Sequence, residues 1–376
     1  MLRQLVGRVQ ANPNINVYLE SELAETGGFV GNFSSTLNTP DGPRSLRHGV
    51  VIVATGAREY RGADYGFGSD PRIVTQQQFE RRLAAAEALP DTVVMIQCVG
   101  PAEQYCSRIC CTAALKNALK LKELRPEAQV MVLYKDIRVY GFKERLYTEA
   151  RRRGVLFIRY DDAHPPRLAH GFGDTDGRLT VHAWDPALRR EIVLTPDLVA
   201  LSMPAIPPAG VGRLASMLRV PVDANGFFLE AHVKLRPVDF AAEGMFMAGM
   251  AHYPKLLDEA IVQAKAAASR AATILARKTL PVGGRVAVVD PTLCTACLTC
   301  VRICPYHVPQ IRPDHAGAGG IIGAAYIEPA VCQGCGICAS ECPARAIQVQ
   351  NYTDDQMIAK VDALFEAAPI QIGGPL

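Results

Sequence analysis

The chain has 376 residues, 49% of them hydrophobic and 20% charged, a globular composition that excludes disordered, collagen-like and coiled-coil classes. Forty basic against 37 acidic residues leave a formal charge of +3, too near balance for a nucleic-acid or anionic-membrane footprint. No stretch reaches the roughly 18 consecutive apolar residues of a spanning helix, and the opening MLRQLVGRVQANPN lacks the apolar run and cleavage site of a secretory signal. The length favours two or three domains. The 12 cysteines fall into three tight groups of four in an untargeted chain, which reads as metal ligation in a reducing cytoplasm rather than a disulfide framework.

In chain order, GVVIVATG (49–56) is the first buried-strand pattern, ending at Thr55-Gly56. A complete flavin domain opens with a strand, G-x-G-x-x-G and a helix, and no such glycine pattern precedes residue 49. The expectation is a sequence that starts inside such a domain, with the adenosine-binding half supplied by a separate chain. A βαβ unit follows: VVMIQ (93–97), the helix TAALKNALKLKEL (112–124) and VMVLY (130–134). Ala113, Leu115, Ala118, Leu119 and Leu121 form its apolar stripe. The turn between strand and helix reads CVGPAEQYCSRICC, so Cys98, Cys106, Cys110 and Cys111 gather where a pyrophosphate would otherwise sit. The helix N-terminus favours thiolate and a negatively charged cluster. A third [4Fe–4S] cluster is one reading; a vicinal disulfide at Cys110-Cys111 or buried thiols are the others, because C-x7-C-x3-C-C is not a common spacing.

Arg151, Arg152 and Arg153 read as a solvated helix end, and residues 164–194 as a hairpin whose His164, His170 and His182 lack metal spacing. GMFMAG (244–249) is a second buried strand, leading into the helical LLDEAIVQAKAAASRAATILA. An A-T-G strand end paired with an F-x-A-G strand end, in this order, points to a flavin domain.

The tail carries CTACLTCVRICP (294–305) and CQGCGICASECP (332–343), the run C-x2-C-x2-C-x3-C-P given twice. In such runs the fourth cysteine ligates the other cluster. Cys294, Cys297, Cys300 and Cys342 are therefore assigned to one [4Fe–4S] cluster, and Cys332, Cys335, Cys338 and Cys304 to a second. Zinc hooks would be separated by a longer gap. The Gly/Ala-rich insertion PDHAGAGGIIGAAYIEP between the runs is expected to have a flexible tip and to return as a strand. The end, YTDDQMIAKVDALFEAAP, reads as a helix capped at Thr353 or Asp354, with Leu364 and Phe365 available to a neighbouring polypeptide.

Together, CVGPAEQYCSRICCTAALKNALKLKE, LYKDIRVYGFKERLYTEARRRGVLFIRY, GMAHYPKLLDEAIVQAKAAA and YIEPAVCQGCGICASECPARAIQ resemble the A-type subunit of heterodisulfide reductase, an iron–sulfur flavoprotein of anaerobes. The resemblance implies that Cys98, Cys106, Cys110 and Cys111 bind a third cluster. It also implies an α/β, thioredoxin-reductase-like, two-dinucleotide-domain body lacking the first part of its flavin domain, followed by an α+β two-[4Fe–4S] ferredoxin domain. The domains expected are a first flavin-domain segment (1–87), an inserted Rossmann-like domain with a cluster (88–205), a second flavin-domain segment (206–280), the ferredoxin domain (281–350) and a C-terminal helix and tail (351–376). The family's long N-terminal region is not in this sequence, nor is the ferredoxin insertion some members carry after GFVGNF. Met250 stands where many flavoproteins have Asp.

The function implied is an oxidoreductase subunit that passes electrons between FAD, shared with a partner chain, and the clusters, with flavin-based bifurcation within the family's range. Thr55, Gly56, Ala248 and Gly249 would approach the flavin through their backbone, with Lys255 and His252 beside it. The partners implied are a chain carrying the flavin G-x-G-x-x-G half, and subunits like the B- and C-types of heterodisulfide reductase or linked to a hydrogenase or dehydrogenase. A flavin-free three-cluster wire and a dithiol-disulfide reductase using Cys110-Cys111 are the alternatives.

Overall fold

The computed structural model describes residues 2–86, 89–103, 105–170, 177–280 and 285–366. Helix α1 (Leu2–Gln10) takes up the amphipathic opening pattern, with none of its residues buried. An antiparallel meander follows, β1 (Glu22–Gly27), β2 (Phe33–Thr39) and β3 (Gly42–His48). The strand expected over 49–56 is β4 (Val51–Val53), followed by β5 (Arg58–Glu59). β6 (Ile73–Thr75) runs directly into α2 (Gln76–Ala85) because Thr75 caps it. The Thr75 hydroxyl accepts from the Gln78 amide at 3.3 Å, and the Gln78 side chain accepts from the Thr75 amide at 2.8 Å.

The βαβ unit is present as β7 (Thr92–Ile96), α3 (Cys110–Leu124) and β8 (Gln129–Tyr134), with the two strands paired in parallel. Helix α4 (Glu144–Arg152) then leads to β9 (Leu156–Arg159), and its basic last turn is the solvated end expected. The region expected as a hairpin is a three-stranded antiparallel sheet, β10 (Arg167–His170), β11 (Leu179–Asp185) and β12 (Arg190–Leu194), and residues 171–176 of it lie outside the described residues. β13 (Leu198–Leu201) enters between β6 and β7, giving a five-stranded parallel sheet in the order β6-β13-β7-β8-β9.

A parallel sheet covered on both faces needs apolar residues on both. Val93 and Met95 pack with α3 on one face, while Val94 and Ile96 pack with Leu179 and Val181 of β11 on the other. The stripe on α3 is rotated from the expected one. Ala114 and Asn117 are buried, and Ala113 and Leu119 are half-buried. Asn117 tolerates burial because its amide donates to Gln76 O at 2.9 Å and to Gln76 Oε1 at 2.8 Å.

The rest of the body is built from β14 (Ala205–Ile206), which pairs with β5, then α5 (Val211–Leu218), β15 (Met245–Met247) and α6 (Leu257–Leu275). β15 lies parallel to β4, with Phe246 opposite Ile52. Buried Ala267 and Ala271 let α6 approach the Phe246–Ala248 end of that pair.

The tail comprises β16 (Ala287–Val289), α7 (Thr299–Ile303), β17 (Gln310–Ala316), β18 (Ile322–Tyr326), α8 (Ile337–Ser340), β19 (Ile347–Val349) and α9 (Asp354–Glu366). β16 pairs with β19 and β17 with β18, both antiparallel. The insertion returns as a strand, as expected, but its tip is tied down. The Ala318 amide donates to Cys294 O at 2.8 Å and the Gly317 amide to Ile321 O at 2.7 Å. A Cβ at Gly317 would sit 2.6 Å from Cys294 O, so this close approach requires glycine. Thr353 caps α9 through the Gln356 amide at 3.3 Å, and Leu364 and Phe365 are exposed. The division drawn at 87/88 falls on residues outside the described set and that at 280/281 at its edge, and residues 367–376 of the tail also lie outside it.

Candidate redox centres

In the tail the two cysteine runs adopt one conformation twice. Ala296 and Leu298 in the first run have φ of 52° and 65°, and the equivalent Gly334 and Gly336 in the second have 64° and 81°. His307 and Arg345, each three residues past the fourth cysteine, both have φ of 48°. These left-handed residues on either side of the second cysteine wind the loop so that successive thiols turn inward. Gly334 is irreplaceable on space as well, since a Cβ there would lie 2.2 Å from Arg285 O.

The thiols group across the runs. Cys300 is pushed above the ordinary thiol range by burial and then by the neighbouring sulfurs of Cys294 and Cys297, with Cys342 also contributing. Cys294, Cys297, Cys300 and Cys342 line one cavity. Burial, followed by the sulfurs of Cys332, Cys304 and Cys335, pushes Cys338 up to about 11. Backbone amides point at the sulfurs: Ala325 at Cys294 (3.4 Å), Ala287 and Gly334 at Cys332 (3.3 and 3.4 Å), Val308 at Cys304 (3.5 Å) and Ala346 at Cys342 (3.3 Å). Exposed Cys297 is held below the ordinary range by the Thr299 hydroxyl. Among the described residues no three His, Cys, Asp or Glu close round a single ion. A cubane instead spreads its thiolates over four corners, and crowded, partly buried thiols fringed by amides fit that group.

The four cysteines of the turn also converge. Cys98, two residues past β7, is in a left-handed conformation (φ 58°), and Arg108 (φ 59°) turns the chain back into α3. The Arg108 amide donates to Cys106 Sγ at 3.3 Å. Burial raises Cys98, Cys110 and Cys111, reinforced by the sulfur of Cys106 on all three, and Cys111 reaches about 11. Thiolate was expected at the α3 N-terminus, but burial outweighs the helix dipole for the bare thiols. Thiolate there would need a nearby cation, a charge that the irons of a cluster would supply. Cys110 Sγ lies 3.7 Å from Met203 O, beyond β13, and Cys111 Sγ 3.7 Å from Asp136 O, beyond β8. The vicinal pair is thus splayed to opposite flanks of β7, and both thiols are free.

Thr55, Gly56, Ala248 and Gly249 meet at the carboxyl ends of the parallel β4–β15 pair, where α/β sheets place ligands. The Ala248 amide donates to Val53 O at 2.9 Å. Gly56 and Gly249 have φ of 72° and 68°, and a Cβ on either would meet nothing within 4 Å, so the backbone forms an open shelf.

Lys255 is only 8% exposed. Its ammonium donates to Gly249 O (2.9 Å) and Tyr253 O (3.1 Å), locking the turn below the shelf, and burial lowers its pKa to about 8. His252 Nδ1 receives Gln263 Nε2 at 2.8 Å and faces Lys255 Nζ at 3.4 Å, so the proton is assigned to Nε2, which donates to Glu230 Oε2 at 2.8 Å. Burial holds the imidazole below its ordinary pKa, against the opposing pull of Glu230.

Arg108 joins the cysteine turn to this network. Its guanidinium lies 4.5 Å from the Tyr253 ring centre, 5.9 Å from that of Tyr140 and 3.9 Å from Glu259 Oε2. Tyr140 donates to Glu259 at 3.0 Å. Sequence reading missed Arg108, Tyr140, Glu230, Glu259 and Gln263, because their partners are distant in the chain and no local pattern marks them.

Fold and cysteines together define an α/β protein with a C-terminal iron–sulfur domain, and residues 293–346 match the family described as a 4Fe-4S dicluster domain. The A-type subunit of the H2:CoB-CoM heterodisulfide,ferredoxin reductase of Methanothermobacter thermautotrophicus is 33% identical over 290 residues, covering 71% of this chain and 43% of that protein. The A-type subunit of the ferredoxin:CoB-CoM heterodisulfide reductase of Methanosarcina mazei is 38% identical over 339 residues, 84% of this chain and 40% of the relative. The A-type iron-sulfur subunit of the CoB–CoM heterodisulfide reductase of Methanocaldococcus jannaschii is 36% identical over 346 residues, 86% and 51% respectively. Over the matched region this chain is a homologue of heterodisulfide reductase A-type subunits. It spans about half the length of the curated relatives it matches. The solved thioredoxin reductase of T. acidophilum is similar with a TM-score of 0.45 and 17% identity, over 73% of this chain and 78% of that one.

Proposed function

We infer that the protein is an electron-transfer subunit of a heterodisulfide-reductase-like complex, an oxidoreductase component with three [4Fe–4S] clusters and an FAD shared with a partner chain. When bound, the flavin exchanges electrons in pairs or singly and each cluster exchanges them singly, so the two together convert between pair and single transfer. The ligands are Cys294, Cys297, Cys300 and Cys342 for one cluster, Cys332, Cys335, Cys338 and Cys304 for the second, and Cys98, Cys106, Cys110 and Cys111 for the third. Thr55, Gly56, Ala248 and Gly249 form the flavin shelf. Lys255 and His252 hold the turn beneath it and keep their protons on defined atoms. The domain divisions of the sequence reading, with the Rossmann-like sheet inserted between two flavin-domain segments, follow from the same assignment.

The observation that carries this reading is adjacency. Arg108 packs on Tyr253 while its amide donates to Cys106, so the cysteine turn abuts the Gly249–Lys255 turn. Splayed Cys110 and Cys111 favour a cluster over a vicinal disulfide. The shared flavin is supported by the open edge of β4. Val51 and Val53 bond to β15, so Ile52, 43% exposed, turns its amide and carbonyl to an edge where no strand lies among the described residues. An unpaired edge of a parallel sheet accepts one further strand.

The test is anaerobic isolation of the native complex with iron, sulfide and flavin assays and identification of the accompanying chains. Iron for three clusters, stoichiometric FAD and a companion with G-x-G-x-x-G are expected. Iron without any flavin would select the wire, and alkylation of Cys110 and Cys111 in the intact protein would select the dithiol reductase.

A further inference from the structure

Four polar atoms in or near the cysteine turn are buried without a hydrogen-bond partner among the described residues: Arg108 Nε in the turn itself, and Gln97 Nε2, Gln97 Oε1 and Ser202 Oγ behind it. Gln97 and Ser202 are each 1% exposed. Stranding such atoms is costly, and native proteins rarely do it without an occupant that completes them.

The placement of Gln97 and Ser202 follows from the pleat. Along β7, Val93 and Met95 face α3, and Val94 and Ile96 face the β10–β12 sheet. The ladder continues past the strand, with the Gln97 amide donating to Leu133 O at 2.9 Å, so alternation sends the Gln97 side chain to the α3 face. Along β13, Leu198 and Ala200 face α3, and Val199 and Leu201 face away. The Ser202 amide donates to Ile96 O at 2.8 Å, which continues that ladder and puts Ser202 on the same face. Cys111 belongs to the core of that face, Cys110 Sγ reaches Met203 O next to Ser202, and Cys98 follows Gln97 directly. The Gln97 main chain is fixed independently, its carbonyl accepting from Tyr160 Oη at 2.6 Å.

We propose that Gln97 and Ser202 are positioning residues for the cluster of the cysteine turn, donating hydrogen bonds from the carboxyl ends of β7 and β13 to its sulfurs and so setting its reduction potential. The proposal rests on the three-cluster reading above. A donor aimed at a cluster sulfur withdraws charge and favours the reduced form, and removing it makes the potential more negative.

The experiment uses the full chain, purified anaerobically, in wild-type, Gln97→Met and Ser202→Ala forms, with iron assay and a redox titration followed by electron paramagnetic resonance. A Cys111→Ser variant identifies the signal of the turn. Each substitution is expected to shift that signal to a more negative potential, leaving both tail signals in place and the iron content unchanged. Retained iron with an unmoved potential in both variants overturns the proposal. So does an equal shift of all three signals, or loss of turn iron in Gln97→Met while Ser202→Ala leaves the potential unmoved. Iron for only two clusters in the wild type removes the three-cluster reading itself, and this inference falls with it.

Discussion

The tail and the turn each gather four-cysteine sets, but by different physics. In the tail, ligand loops are built locally, with left-handed residues at matching positions of the two runs and amides at 3.3–3.5 Å from four of the sulfurs. In the turn the thiols come from the stretch after β7, a loop and a helix start; the Arg108 amide donates to Cys106, and main-chain groups of Lys135 and Arg138, beyond β8, reach Cys98 and Cys111. There the sulfurs of Cys110 and Cys111 also lie against carbonyl oxygens. A ligand set made by spacing survives translation of the run as a unit. One made by the meeting of β7, β8, β13 and α3 depends on how those elements pack.

The largest effect should come from breaking the tail's exchange of ligands. Cys300→Ser and Cys342→Ser should each remove the same cluster, about four iron atoms, although the residues lie in different runs. Cys304→Ser should remove the other. Iron counts with resonance spectra of the three variants check this, and loss of one signal by Cys300→Ser and a different one by Cys342→Ser would refute the crossing.

Next is Gly334→Ala. A side chain at φ 64° facing Arg285 O should cost about 1–3 kcal/mol from the backbone alone, more with the clash, read as a lower melting temperature and depleted iron. A conservative change at Ala296, which already carries a Cβ at φ 52°, should be tolerated.

Arg108→Ala probes the turn. Removing a partly buried guanidinium from the Tyr253 face should cost about 1–2 kcal/mol and loosen the cysteine loop. Faster alkylation of Cys106 than in the tail would report it.

The narrowest effect, confined to one pH window, concerns Lys255. Its folded pKa of about 8 lies below the ordinary 10.5, so between those values the unfolded chain binds more protons and stability rises with pH. The contribution is complete above 10.5 and is lost as pH falls through about 8. Lys255→Met should flatten this rise, measured as the difference between wild-type and variant denaturation midpoints across that range.

Much of this was legible in the residues. The doubled C-x2-C-x2-C-x3-C-P run marks the tail, because its spacing sets the winding of each ligand loop, and residues 293–346 match the dicluster family. Period-two and helical patterns located β7, α3, β8 and α6 to within a few residues. The tip of the insertion was misread as free because its tether, Cys294 O, belongs to another loop. The α3 stripe was misjudged because burial of Asn117 depends on Gln76, 41 residues away.

By itself, then, the sequence determined which sulfurs exist, how the tail runs are spaced and where strands alternate with helices, since these are local properties of backbone and side chain. Only the tertiary structure decided that Gln97 and Ser202 share a face with the turn's thiols and that Arg108 bridges that turn to the Lys255 network. Those juxtapositions arise from inserting β13 between β6 and β7 and from packing α6 against the turn, contacts between residues about a hundred or more positions apart that no local pattern encodes.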